Sequence, residues 1–377
     1  MSRRLVTVAS GVGALIALVA MLALVVANAN DSSSGSLADS PFREGALTVG
    51  LQDDQITGAI DDAVATRLDR LAASGVEFTR LDVLWSTVAP TRPLSPTDPN
   101  DPAYGWTRYD EIIDGLAVRR IAPIVAFSGS PGWANGGNGP EAAPDLEAYG
   151  AFVRAFATRY RGQGHPSVEI YEPWDEPNNP LKLMPQWDPA GTTPVSPATY
   201  AGLLNRANTE IKAVSPDAIV VGSSAGHIET SAPPVGGVGV LDWLAALTAL
   251  QPTMDAVAQH LEPAIPPSAP SDAVPSFATL PRLVQELDRL APGAPILITR
   301  FGYATPPGGL SEADQAASLT QGLQRLAAAP QVRLVIWGSV RDSADRTFGL
   351  VRADGVDKAS WSVFANGPKA LPSAATP

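Results

Sequence analysis

The segment Val168-Glu169-Ile170-Tyr171-Glu172-Pro173-Trp174-Asp175-Glu176-Pro177-Asn178 pairs a short β-prone run, 168–171, with a proline-punctuated cluster of aromatic and acidic residues. The same unit recurs on both sides of it. Candidate strands fall at 47–51, 77–81, 123–127, 219–222, 256–260, 296–299 and 333–337. Helical periodicity runs through 60–73, 109–118, 146–160, 200–214, 241–250, 280–290 and 313–326. A spacing of roughly forty residues per strand–helix unit predicts eight parallel strands closed into a (β/α)8 TIM barrel. The connections are lopsided. Those after strands are long and rich in Pro, Gly and aromatics (85–106, 128–144, 177–199, 223–240, 262–277), whereas Ala73-Ser74-Gly75 and Ala291-Pro292-Gly293 after helices are short. In such a barrel the long connections gather at the C-terminal face, where sites are built.

The cluster ending in Trp174-Asp175-Glu176-Pro177 resembles the strand-four signature of clan A glycoside hydrolases, the 4/7 superfamily that includes cellulases. There the strand ends in Asn-Glu-Pro and the Glu is the acid/base, which maps that role onto Glu176. Thr79-Arg80-Leu81-Asp82-Val83-Leu84-Trp85-Ser86 resembles the clan's strand two, whose Arg supports the nucleophile. Ser130-Pro131-Gly132-Trp133-Ala134 is similar to its strand-three loop. Arg333-Leu334-Val335-Ile336-Trp337 resembles the last strand, whose Trp stacks on the sugar, and Phe348-Gly349-Leu350-Val351 with Lys358 resembles the lead into the final helix. The similarity spans 46–364 and is nearest to families 39 and 5. It implies a carbohydrate cleft with Arg80, Trp85, Trp133, Trp174, Asp175, His260, Tyr303 and Trp337 as sugar-side residues. Four tryptophans at strand ends favour stacking on carbohydrate C–H faces.

One position departs. Strand seven of the clan ends in a Thr-Glu-Phe-Gly type of motif, and this chain reads Thr299-Arg300-Phe301-Gly302-Tyr303. A guanidinium has no lone pair to attack an anomeric carbon and stays charged. The expected His-x-Tyr of strand six is His260-Leu261-Glu262, and the Asn before the acid/base is Asp175. A buried Arg needs an answering charge, so Glu262 is expected to pair with Arg300. A cation at 300 also favours ionised Glu176, a poor proton donor.

The bulk properties narrow the class. With Cys 0, disulfides, thiol catalysis and thiolate metal sites are excluded. His165, His227 and His260 have no metal-site spacing, and neither a metal nor another cofactor is expected. A net charge of -12 argues against nucleic acid. Arg3 and Arg4 precede the apolar run 5–27, long enough to span a bilayer with the N-terminus inside. Residues 1–30 therefore read as a signal anchor in the cell membrane, with a cleaved signal peptide (Ala27-Asn28-Ala29) and a secreted form as the alternative. Residues 31–43 read as a linker, 44–365 as the barrel and 366–377 as a Pro/Ala-rich tail, and a monomer is expected.

Three readings of the site follow. The leading one is an extracytoplasmic, glycoside hydrolase-like protein that binds an oligosaccharide or polysaccharide and has lost retaining hydrolysis. The second is an active glycosidase with Glu176 as acid/base and Glu262 as displaced nucleophile or base. The third makes Arg300 a receptor for an anionic sugar. A purely structural envelope protein leaves the rim tryptophans unexplained.

Overall fold

Eight strand–helix units follow one another in the computed structural model, which describes residues 42–43, 45–58 and 61–373. They are β1 (Ala46–Gln52), α1 (Asp61–Ala73), β2 (Phe78–Leu84), α2 (Thr107–Val118), β3 (Ala122–Ser128), α3 (Leu146–Arg159), β4 (Ile170–Glu172) and α4 (Ser196–Val214). The second half comprises β5 (Ile219–Ala225), α5 (Val240–Leu250), β6 (Ala256–Leu261), α6 (Leu280–Leu290), β7 (Ile296–Phe301), α7 (Glu312–Ala327), β8 (Val332–Gly338) and α8 (Ala359–Asn366). All eight expected strands form, each within a few residues of its expected bounds. Their order in the curled sheet is β2-β3-β4-β5-β6-β7-β8-β1, with every pairing parallel. Almost every strand residue is buried, as parallel strands covered by helices on the outside require.

β1 and β2 close the ring at short range. Thr79 Oγ1 donates to the carbonyl of Leu51 at 2.7 Å across that seam. Gly50 makes the approach possible, since a Cβ there would lie 2.3 Å from Ile336 Cδ1 and 2.6 Å from the carbonyl oxygen of Phe78. The second obstacle is backbone and cannot rotate away. Gly50→Ala is therefore expected to destabilise the barrel by about 1–3 kcal/mol or more, read from urea unfolding. A variant as stable as the parent would show that the seam yields freely.

The segment 366–377, expected as a tail, contributes a strand. β9 (Ala370–Pro372) pairs antiparallel with Ala46–Thr48 of β1. It satisfies backbone groups at the start of β1, and Ser373 N–H donates to the Gly45 carbonyl at 2.8 Å. Helix ends follow local chemistry. Asp145 caps α3 through Ala148 N–H at 2.8 Å, and Ser311 with Asp314 forms a capping box on α7. Among the described residues no helix is long and apolar enough to cross a membrane; the run 5–27 lies outside them.

Candidate functional site

Two prolines shape the end of β4. Pro173 stops the strand after Glu172, and Pro177 disfavours the right-handed helical region for Glu176. Glu176 takes φ +45 instead, and Ser223 and Ser224 at the end of β5 take +73 and +41. Three non-glycine residues in left-handed backbone, joined by Glu176 N–H donating to the Ser224 carbonyl at 3.1 Å, mark a strained corner. Asn178 fastens it, accepting from Gly226 N–H at 2.7 Å and donating to the carbonyls of Gly226 and Val238. The result aims the Glu176 carboxylate into the barrel mouth.

There it meets Arg300. Nη1 of Arg300 donates to Glu176 Oε1 at 2.9 Å, His260 Nδ1 lies 3.0 Å from the same oxygen, and Asn179 donates to Oε2 at 2.7 Å. Both charged partners rest against glycines. A Cβ at Gly226 would lie 3.1 Å from the Glu176 carboxyl carbon, and one at Gly338 3.0 Å from Arg300 Cγ. A second set of charges adjoins the pair. Arg80, fully buried, donates from Nε to Glu172 at 2.8 Å, from Nη2 to Asp175 Oδ1 at 2.6 Å, and from Nη1 to Asp82. Lys182 Nζ holds the other Asp175 oxygen at 2.8 Å, and Asp82 Oδ2 lies 3.6 Å from Arg300 Nη2. Gln52 donates to Asp82 at 2.9 Å.

The electrostatics follow from this packing. Burial by itself raises the Glu176 carboxyl, as does Asp175. The His260 hydrogen bond and the Arg300 charge outweigh both and hold it well below the usual carboxylate range. Burial likewise opposes ionisation of Asp175, and Lys182, Arg80 and Arg300 reverse it, so Asp175 is held well below its ordinary value. Burial would depress Arg80, but Asp82, Glu172 and Asp175 keep it well above the ordinary value.

Glu176, Arg300, Arg80, Asp175 and His260 thus come together as one network. Glu262 does not join it. Its Oε1 pairs with Arg346 at 2.7 Å, and its backbone N–H donates to His227 Nδ1. The expected Glu262–Arg300 pair is absent because the ladder sets His260, not residue 262, beside Arg300, after an irregularity between Ala258 and His260. The stacking roles also change. Trp85, Trp174 and Tyr303 are 0% exposed and Trp337 is 1% exposed. Trp85 stacks on Phe152, Tyr303 packs against Phe277 and Phe301, and Trp337 meets Phe301 edge-on. Strand-end aromatics here close the layer between strands and helices. Trp133 is half-buried, donates to the Ala89 carbonyl at 2.8 Å, and carries the Arg92 guanidinium over its ring.

Sequence reasoning passed over Asp82, Glu172 and Lys182. Asp82 follows Arg80 by two residues on one strand, so both side chains point to the same face, a signal that was present. Lys182 lies in an irregular loop and gave none. Asp175, Glu176 and His260 bring donor atoms within 4.8 Å of one another. They do not fit a metal centre, since Arg80, Lys182 and Arg300 already neutralise those carboxylates and would repel a dication.

No protein-family model matches the chain, and no curated protein matches it. Solved structures do. A family 39 glycoside hydrolase from Bacteroides cellulosilyticus WH2 aligns at TM-score 0.61 and 17% identity, over 84% of this chain and 62% of that one. A monomeric beta-xylosidase from Caulobacter crescentus CB15 aligns at 0.60 and 19%, over 86% and 68%. Xylanase 10B from Thermotoga petrophila RKU-1, in complex with xylobiose, aligns at 0.58 and 14%, over 84% and 92%. The likeness is one of fold. The chain folds as the barrel these structures share and spans less than two thirds of the family 39 enzyme's length.

Proposed function

We propose that the barrel binds a carbohydrate at its C-terminal mouth and does not hydrolyse it by the retaining route. The observation that carries this reading is the 2.9 Å contact between Arg300 Nη1 and Glu176 Oε1. Retaining cleavage needs one carboxylate to attack and a second, protonated one to release the leaving group. The strand-seven position offers a guanidinium, and that guanidinium helps keep Glu176 ionised. The similar structures are a xylosidase, a xylanase and a family 39 enzyme, which supports a glycan as the ligand. The chemistry of residues 1–30 supports an extracytoplasmic barrel tethered through 5–27. The competing reading, with Glu262 as displaced nucleophile, loses ground because Arg346 holds that carboxylate outside the Arg300 network.

The full-length chain, purified in mild detergent, is expected to bind a β-linked xylo-, gluco- or manno-oligosaccharide by calorimetry and to release no product from it. Steady turnover abolished by Glu176→Gln would sink this reading. Turnover abolished by Glu262→Gln would install the displaced-nucleophile reading in its place.

A further inference from the structure

Within the mouth network, solvent reaches two side chains. Asp82 and Lys182 are 32% and 34% exposed, whereas Arg80, Glu172, Asp175, Glu176, His260 and Arg300 are at most 10% exposed. A ligand that reaches this network meets that pair before its other members, with Arg346, 36% exposed, beside it on Glu262. Asp175, at a position implied to be sugar-side, is 2% exposed beneath its contacts with Arg80 and Lys182, so burial keeps a ligand from it. The Lys182 ammonium stands in front of it. Its loop is fixed from below: buried Trp174 donates from Nε1 to the Lys182 carbonyl at 3.0 Å, and Lys182 N–H donates to the Asn179 carbonyl at 2.9 Å.

The same contacts bear on ligand charge. Three cations at the mouth are already engaged by carboxylates: Lys182 by Asp175, Arg300 by Glu176, Arg346 by Glu262. An anionic sugar would meet the carboxylates of Asp82, Glu172, Asp175, Glu176 and Glu262 against the cations of Arg80, Lys182, Arg300 and Arg346, and drawing one of those cations away would leave a largely buried carboxylate short of its partner. Lys182 retains N–H groups beyond the one spent on Asp175, and a carboxylate offers about four lone-pair sites. These suit uncharged hydroxyls, a donor for one and an acceptor for another.

We infer that Lys182 and Asp82 are the specificity-determining contacts of this mouth and that they select a neutral glycan over a uronic, sulfated or phosphorylated one. This rests on the carbohydrate-binding reading above. The test presents the full-length chain with matched neutral xylo-oligosaccharides, cello-oligosaccharides, oligogalacturonate and sulfated dextran, in calorimetry at low and at high salt. The expected result is binding of a neutral oligosaccharide that salt leaves unchanged, because no net charge is exchanged. Lys182→Gln and Asp82→Asn should each weaken that binding about tenfold or more while the melting temperature stays within a few degrees of the parent. Lys182→Arg, which keeps a donor, should recover part of it. Binding confined to the anionic oligomers and weakened by salt overturns the inference and leaves the carbohydrate reading standing. Neutral binding unaffected in all three folded variants overturns the assignment of these contacts. Failure of every oligosaccharide to bind removes the carbohydrate reading and the inference with it.

Discussion

Arg80→Met should cost more stability than any other single change at the mouth, upward of about 3–5 kcal/mol, and the variant should be largely unfolded at 37 °C if the parent is of ordinary stability. Arg80 is 1% exposed and serves Glu172, Asp175 and Asp82 together. Methionine matches its bulk and leaves two fully buried carboxylates short of a cation. Arg300→Met should cost less, since Glu176 keeps His260 and Asn179. Double-mutant cycles then separate partners. Arg300→Met with Glu176→Gln should couple by about 0.5–3 kcal/mol, whereas Arg300→Met with Glu262→Gln should be additive. Coupling in the second cycle and none in the first would contradict the contacts described. Acidity supplies a further check. The folded carboxyls of Asp175 and Glu176 lie below their unfolded values near 4, so their contribution is complete above that pH and is lost as pH falls through the folded values. The penalty of Arg80→Met should accordingly shrink below about pH 4, where the Asp175 carboxyl, without Arg80, takes up a proton. Urea midpoints measured from pH 7 to pH 3 would reveal a pH-independent penalty if packing rather than charge were at stake.

Arg300→Glu should raise cleavage of an activated aryl glycoside well above that of the parent. The shorter side chain withdraws from Glu176 and leaves a carboxylate at the end of β7, and the two carboxyls then stand nearer the about 5–5.5 Å that retention uses. Glu176 would lose its cation and face a like charge, and both changes raise its carboxyl towards a useful acid. Asp175 stays paired with Arg80 and Lys182, which offsets its charge beside the new group, and Glu262 stays with Arg346. Adding Glu262→Tyr, as the family pattern would suggest, alters a group held by Arg346, whereas Asp175→Asn removes a charge that acts on residue 300 and should help the new carboxylate ionise. An increase on the order of 10²-fold over the parent on an activated aryl glycoside is expected, with a glycosyl ester on the introduced carboxylate visible by mass spectrometry of the trapped protein. A folded variant that still binds sugar but neither labels nor turns over would mean that loss of hydrolysis involved more than residue 300.

The fold was legible because its signals are local and repeated. Eight apolar runs alternating with amphipathic stretches admit few other architectures, and seven of the helices appear within four residues of their expected limits at each end. The residues of the site were partly legible. Arg80, Asp175, Glu176, His260 and Arg300 were identified from motif positions and do meet. The Glu262 pairing was misjudged because sequence spacing does not show strand register, and an extra residue in β7 between Leu297 and Arg300 sets which residue lies beside Arg300. The tryptophans were misjudged because a strand-end aromatic looks the same in sequence whether it lines a cleft or fills the space under a helix. Side-chain direction decides that, and Trp85 turned onto Phe152. Lys182 illustrates the remaining limit, for its contact with Asp175 depends on the path of an irregular loop.

The pairing of β9 with the first residues of β1 fixes where the chain enters and leaves. Gly45 and Ser373 are hydrogen-bonded to each other at the closed end of the barrel. The seven residues of β1 separate that end from the mouth by roughly 20 Å. Attachments made directly at Gly45 or Ser373, whether to a sensor chip, a fluorescent partner or a bead, therefore join the barrel on the side away from Glu176 and Arg300. Immobilisation at those two residues should leave the opening clear for the glycan proposed to bind there.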